Sequence, residues 1–169
     1  MSQLKMERDD TPVTLVDPPQ GYYLRPFVPG DEEAWCRCCI GGELGVNEAS
    51  VDEFTRVMAS DERVDTGNIF FIVSETGGLA GTATYQYGRV PSEGYVHMVS
   101  VAASHRGKGL ARPLVLYTVD RILREGNKSI VLTTDDWRLP AIKTYLNCGF
   151  TPCVTDETAA RWLAVLAKL

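Results

Sequence analysis

The stretch from Tyr95 to Ala111 constrains the fold of this chain more than any other. It opens as an extended apolar run (Val96, Met98, Val99, Val101) that stops at Ala102-Ala103-Ser104-His105. The glycine-spaced turn Arg106-Gly107-Lys108-Gly109-Leu110-Ala111 follows at once, and a helix-like stretch runs from Leu110 to Arg124. Strand, glycine-rich turn, helix is the arrangement that aims main-chain N–H groups at a phosphate. Gly107 and Gly109 lack Cβ atoms, so a ligand can approach the backbone closely there. Arg106 and Lys108 add positive charge beside it. No G-x-x-x-x-G-K-[ST] loop is present. The dinucleotide-binding pattern does not fit either, because its third glycine position holds Arg112. An ordinary strand-to-helix turn carries similar glycines, so the rest of the chain has to decide.

Around this unit the periodicities predict a mixed α/β order of elements. Residues 1–20, with Pro12, Pro18 and Pro19, read as a polar N-terminal extension, loosely held or draped over a domain of residues 21–169. Tyr22 to Phe27 reads as a first strand. Asp31 suits an N-cap for a helix ending near Ile40 at Gly41-Gly42. Ser50 and Glu53 form an S-x-x-E capping box for a second helix with Phe54, Val57 and Met58 on its apolar face. Ile69 to Val73 is a buried strand, Gly77-Gly78 a hairpin turn, and Leu79 to Tyr87 its partner. Pro91 to Gly94 turns into the strand Tyr95–Val101. The next helix shows inward positions at Ala111, Leu114, Val115, Thr118, Val119 and Ile122. A buried strand over Ser129 to Thr134, a helix from Leu139 to Cys148, a strand from Phe150 to Val154 and a closing helix from Thr158 to Leu169 complete the order. That last helix is expected to turn Trp162, Leu163 and Leu166 inward.

The chain has 169 residues, enough for one domain with a full core. A net charge of −5 disfavours nucleic acid as a partner. No apolar run approaches the roughly 20 residues that span a bilayer, so no membrane association is expected. The N-terminal residues lack the apolar core of a signal peptide, and a cytoplasmic protein, monomer or homodimer, is expected. The five cysteines are an odd number, which argues against a disulfide framework. Cys36, Cys38 and Cys39 suit small buried hydrophobes on a core helix better than a zinc site, and no metal is expected.

The pattern R-x-x-G-x-A, read from Arg106 to Ala111 after a strand ending Val99-Ser100-Val101, resembles the coenzyme A-binding motif of the GNAT superfamily of N-acetyltransferases. A second motif matches in the right order. Ala141-Ile142-Lys143-Thr144-Tyr145, then Cys148-Gly149-Phe150, resembles the A-x-x-x-Y-x-x-x-G-F signature of that superfamily, with Ala141 and Tyr145 on one helix face. The resemblance covers roughly residues 21–155. It implies a GNAT-like single domain whose central twisted mixed sheet, with helices on both faces, splays between its fourth and fifth strands, Tyr95–Val101 and Ser129–Thr134. Acetyl-coenzyme A would lie in that opening as co-substrate. Main-chain groups of Val99, Ser100 and Val101 would pair with pantetheine like an added strand. The amides of residues 106–111 would hold the pyrophosphate. Many members place Asn where this chain has Arg138; here Arg138 would either pair with an aspartate or reach a coenzyme phosphate.

The reaction implied is transfer of an acetyl group to a primary amine of a small molecule or peptide, by direct attack in a ternary complex. An amine of pKa near 10.4 must lose a proton, which costs roughly 4.6 kcal/mol at pH 7. Strand alternation puts Tyr95, His97, Val99 and Val101 on one face and Val96, Met98 and Ser100 on the other. His97 is the candidate base, directly or through water, with Glu93 a rival and a structural histidine the plainer alternative. Tyr145 is the candidate partner of the leaving thiolate, or else a space-filling core tyrosine. Acidic residues between Glu43 and Asp65 offer a rim that would attract a cationic acceptor, or are simply a solvated face. A domain that senses acyl-coenzyme A without turnover is the alternative function.

Overall fold

The computed structural model describes residues 2–169; Met1 of the expected extension lies outside them. Seven strands form one sheet: β1 (Leu4–Asp9), β2 (Tyr22–Pro26), β3 (Val64–Ser74), β4 (Leu79–Tyr87), β5 (Glu93–Val101), β6 (Ser129–Thr134) and β7 (Thr151–Pro152). Five helices accompany them: α1 (Glu32–Cys39), α2 (Val51–Phe54), α3 (Ala111–Arg124), α4 (Leu139–Asn147) and α5 (Ala159–Leu166). The order across the sheet is β2-β3-β4-β5-β6-β1-β7. Every neighbouring pair is antiparallel except β5 and β6, which run parallel through the crossover helix α3. The mixed α/β class and the open sheet follow the sequence expectation.

The N-terminal residues do not. Leu4–Asp9, expected to be loosely held, form a strand inserted between β6 and β7. All six pair with β6, from Leu4↔Thr134 to Asp9↔Ser129. The reason is a period-2 pattern in which Leu4, Met6 and Arg8 point inward and Lys5, Glu7 and Asp9 point to water. Arg8 is buried there with one guanidinium nitrogen donating to the Thr11 carbonyl oxygen. The splay predicted between the fourth and fifth strands therefore lies between β5 and β6, the same segments counted one later.

Strand alternation divides the core into two layers. Phe70 and Ile72 of β3 join Leu114, Val115, Val119 and Ile122 of α3, Ile142 of α4 and Trp162 of α5. Ile69, Phe71 and Val73 point the other way, against Trp35, Cys36 and Cys39 of α1, Phe54 of α2 and Met58. Each fully buried aliphatic of this kind contributes roughly 1.5–3 kcal/mol. Cys36, Cys38 and Cys39 are all buried, as small core side chains on α1, and burial pushes the Cys38 thiol up to about 12.

Local signals were partly redirected. Asp31 stands at the N-cap of α1, but its carboxylate accepts from Arg25 at 2.6 and 2.9 Å and from the Val28 N–H at 2.8 Å, not from α1. Ser50 caps α2 through the Glu53 N–H at 3.1 Å, while the Glu53 carboxylate turns to Arg56 and the Asn47 N–H, so only half of the capping box forms. Past α2 the chain widens into a π-helical turn, Thr55–Ala59. α5 is rotated by one position from expectation: Trp162 and Val165 are inward, while Leu163 is 74% exposed and Leu166 44%. Two contacts set that rotation, the Trp162 indole N–H donating to the Cys153 carbonyl oxygen at 3.2 Å and the ion pair of Arg161 with Asp136.

α3 lies so close to β5 that a side chain at Gly94 has no room. A Cβ there would stand 2.2 Å from Cγ2 of the fully buried, β-branched Ile122. Gly94→Ala is therefore expected to destabilise by about 1–3 kcal/mol through overpacking, lowering the melting temperature by roughly 2–10 °C. A melt within about 1 °C of the unmodified protein would show that α3 is not clamped at this point.

Candidate active site

β5 and β6 are paired over only three positions, Glu93↔Ser129, Gly94↔Ile130 and Tyr95↔Val131. Beyond these the strands part. β4 pairs with the far side of β5 up to Gly81↔Val101, and β1 with the far side of β6 up to Thr134. The facing edges, residues 96–101 and 132–134, thus have no strand between them. A cavity of about 320 Å³ occupies this opening, with Tyr95, His97, Val99, Thr133, Arg138 and Tyr145 on its walls. Sequence reasoning named His97, Val99, Arg138 and Tyr145, and the fold brings these four together.

The expected alternation along β5 fails at one residue. Met98 adopts φ 49°, and the register with β4 shifts between Thr82↔Ser100 and Thr84↔His97. This is a bulge, and one extra residue exchanges the faces of everything beyond it. Val96 before the bulge and Val99 and Val101 after it all join the α3 side, whereas Met98 joins the α1 side. His97 therefore does not share a face with Val99 and Val101. Ser100 also points away from α3: its hydroxyl donates to the Cys38 carbonyl oxygen at 2.9 Å. Burial is the main influence on His97 and lowers its imidazole to about 4, with Asp61 opposing and Arg63 reinforcing the shift. The ring is neutral at pH 7. Glu93 sits at the paired end of β5, where its carboxylate accepts from the Arg89 N–H at 3.2 Å, outside the cavity walls.

Tyr145 owes its place to the end of α4. Gly149 takes φ 85°, its N–H donates to the Leu146 carbonyl oxygen at 3.0 Å, and the Phe150 N–H donates to that of Tyr145 at 3.0 Å. These two bonds make a Schellman motif, and the hydrophobic contact that accompanies one is Phe150 against Tyr145, ring centroids 6.1 Å apart. Spacing of Tyr, Gly and Phe thus encodes a helix stop that also fixes the tyrosine ring. Burial pushes the Tyr145 phenol well above its usual value.

Arg138 precedes α4 and takes the aspartate of its two expected options. Nε donates to Asp135 at 2.8 Å, and the two terminal nitrogens donate to the carbonyl oxygens of Gly42 and Glu43, each at 2.9 Å. It ties the loop after α1 to one wall of the cavity. Of the acidic residues expected at a rim, Glu43 lines the cavity, whereas Glu53 and Asp61 are paired with Arg56 and Arg63.

The glycine turn follows β5 after a 3₁₀ turn, Ala103–His105. Gly107 and Gly109 both take φ 76°, a left-handed conformation suited to glycine, with nothing within 4 Å of either Cβ position. The N–H groups of residues 107–110 donate to no acceptor among the described residues. Leu110 is buried at the N-cap of α3, and Ala111 opens the helix. Arg106 donates to the Val101 carbonyl oxygen at 3.1 Å, and Lys108 to the Tyr22 hydroxyl at 3.1 Å. Gln3, Tyr95 and Thr133 also line the cavity. The sequence gives no motif for them; for Tyr95 and Thr133 a polar side chain on a strand is the hint, and for Gln3, just before β1, there is none.

A mixed sheet parted between two parallel strands, with a glycine turn and helix after the first, defines an acetyltransferase fold of the GNAT type. Residues 32–150 match the Acetyltransferase (GNAT) family, and the chain belongs to that family. It is 28% identical over 161 residues to the mycothiol acetyltransferase of Thermomonospora curvata, covering 91% of this chain and 52% of that protein. It is 31% identical over 142 residues to the mycothiol acetyltransferase of Pseudarthrobacter chlorophenolicus, covering 79% and 43%. The chain thus spans about half the length of these relatives. Among solved structures, a GCN5-related N-acetyltransferase from Sphaerobacter thermophilus shares the fold with a TM-score of 0.72 and 24% identity, covering 88% of this chain and 47% of that one. No helix among the described residues is long and apolar enough to cross a membrane.

The lowered His97 imidazole has a measurable consequence. Its folded value, about 4, lies below the unfolded value near 6.5, so the unfolded chain binds the proton first as pH falls. The His97 contribution to stability is then complete above about pH 6.5 and is lost progressively towards pH 4. Urea midpoints at pH 7 and pH 5 should differ less in His97→Gln than in the unmodified protein. An identical pH slope in both would mean that His97 is solvated.

Proposed function

We propose that this chain is an acetyl-coenzyme A-dependent N-acetyltransferase that acts on a primary amine of a small molecule or peptide, by direct attack in a ternary complex. The observation that carries this reading is the unpaired edge of β5. It runs along the cavity that holds Tyr145 and His97 and ends at a turn whose N–H groups are free. An extended pantetheine arm fits such an edge as an added strand, with main-chain groups of Val99, Ser100 and Val101 as its partners. The N–H groups of the turn, the open space over Gly107 and Gly109, and the charges of Arg106 and Lys108 fit a pyrophosphate. Arg138 serves in this reading as the residue that holds the Gly42–Glu43 loop beside the acceptor, with its Asp135 pairing kept.

When bound, acetyl-coenzyme A supplies an acetyl group on a thioester and departs as a thiolate. Tyr145, raised by burial, keeps its proton at any working pH and is a poor acid towards a thiol of pKa near 8.5. It acts as a hydrogen-bond donor to developing charge on sulfur. His97 is neutral but weakly basic; at about 4 it lies about six powers of ten in proton affinity below an amine of 10.4. It therefore accepts a hydrogen bond or orients a water, and the amine loses its proton to solvent. The same weakness favours the second reading, a domain that binds acyl-coenzyme A without turnover.

Acetyl-coenzyme A is expected to raise the melting temperature. Gly109→Val should abolish that shift because valine cannot hold φ 76°, whereas Gly109→Asn, which tolerates that region, should keep most of it. Equal shifts in all three proteins would remove the turn from the binding site. In a thiol-release assay with a panel of amines, Tyr145→Phe should lower kcat on the order of 100-fold while the coenzyme-induced thermal shift persists. Stabilisation by acetyl-coenzyme A with no amine accelerating thiol release would select the non-catalytic reading.

A further inference from the structure

A line of hydrogen bonds from four segments of the chain runs along one cavity wall. The Tyr95 hydroxyl on β5 lies 2.5 Å from Thr133 Oγ1 on β6. Thr133 Oγ1 lies 2.8 Å from Gln3 Oε1, just before β1. Gln3 Nε2 stands 3.4 and 3.5 Å from the two carboxylate oxygens of Asp135, which Arg138 holds from the other side. None of these bonds follows from the motifs of the family signature.

The line has only one consistent direction. A carboxylate only accepts, so the Gln3 amide presents Nε2 to Asp135 and Oε1 to Thr133. Thr133 has a single hydroxyl proton, and Gln3 Oε1 takes it. The short contact between Tyr95 and Thr133 then requires the phenolic proton of Tyr95. The Tyr95 oxygen is left with lone pairs alone on the cavity side, so it can accept from an N–H but cannot donate to a carbonyl oxygen. The line is not a proton route, because the Gln3 amide does not pass a proton on. What it does is set the polarity of one oxygen. Tyr95 lies in the reacting region: its ring centroid is 5.8 Å from that of His97, and it adds to the upward push on the Tyr145 phenol.

We propose that Tyr95 is the substrate-binding residue that accepts a hydrogen bond from the acceptor amine, and that Thr133 and Gln3 are positioning residues that keep its oxygen proton-free towards the cavity. This deepens the acetyltransferase reading and rests on it. The ligand class selected is one with at least two N–H bonds on the reacting nitrogen, one for Tyr95 and one for loss, which is a primary amine. A secondary amine, with a single N–H, would lose its hold on Tyr95 when it deprotonates.

The test is steady-state acetyl transfer with putrescine, lysine, glucosamine and glycinamide, together with calorimetric binding of the same amines to the protein saturated with coenzyme A. Tyr95→Phe and Thr133→Val are expected to raise the KM for the amine about tenfold, with the KM for acetyl-coenzyme A unchanged. A tenfold change corresponds to about 1.4 kcal/mol, the size of one hydrogen bond to a polar group. Thr133→Ser keeps the relay hydroxyl and should restore the amine KM, and Gln3→Leu should reproduce part of the Thr133→Val defect; a purely structural role for Thr133 would not produce this split between the two substrates. Amine KM within about twofold of the unmodified protein in Thr133→Val, or an equal rise in both KM values, overturns the proposal. An unmodified protein that turns over no amine fails the acetyltransferase reading, and calorimetry then decides separately. Amine binding that weakens about tenfold in Thr133→Val sustains the proposal, and amine binding that is absent or unaltered overturns it.

Discussion

The parting of β5 from β6 after Tyr95↔Val131 is the constraint on which the rest of this structure depends. Two parallel strands in the middle of a sheet would ordinarily pair along their length, because unpaired main-chain groups away from water are costly. Here they are kept apart from both sides. β4 holds the outer edge of β5 and β1 holds the outer edge of β6, so each strand stays extended without its inner neighbour. The Met98 bulge bends β5 close to the point of departure. Arg138 braces the mouth by joining the start of α4 to the loop after α1. The result is a main-chain edge held open on rigid elements, which is a surface that an extended ligand can complete.

The side chains around the opening divide its chemistry by burial and polarity. Tyr145 is buried and protonated, a donor by necessity. His97 is buried and neutral, an acceptor of hydrogen bonds more than of protons. Tyr95, in the direction proposed for its line with Thr133 and Gln3, has its proton drawn into the wall. In the proposed acetyl transfer, one donor and two acceptors facing one space would serve a sulfur that gains negative charge and a nitrogen that sheds a hydrogen. The strongly basic group that an amine of high pKa would need is not among the residues that line the cavity. In the proposed reaction the amine loses its proton to solvent, and the protein contributes orientation and charge stabilisation.

Much of this was legible in the sequence because the signals were local. The Gly107 and Gly109 turn, the strand before it and α3 after it could be read from consecutive residues. So could the Tyr145, Gly149 and Phe150 spacing, which turns out to be a helix stop with its own ring contact. What was hidden had a physical reason in each case. Leu4–Asp9 alternate as a strand, but an inward Arg8 and three outward charges make them read as polar chain. The bulge rests on one methionine at φ 49°, and no residue type announces it. That single residue moved His97 off the face of Val99 and Val101. The Tyr95–Thr133–Gln3 line joins residues 38 and 130 positions apart, and only the β1 insertion brings the last of them into place.

Amide hydrogen exchange with and without coenzyme A tests the open edge most directly. Slowed exchange at the amides of residues 96–101 that face the opening, and at 107–110, with β3 and β4 unaltered, is the result expected of a ligand that completes β5 and rests on the turn. Unchanged rates in both segments, with protection appearing elsewhere in the presence of bound coenzyme, would contradict it.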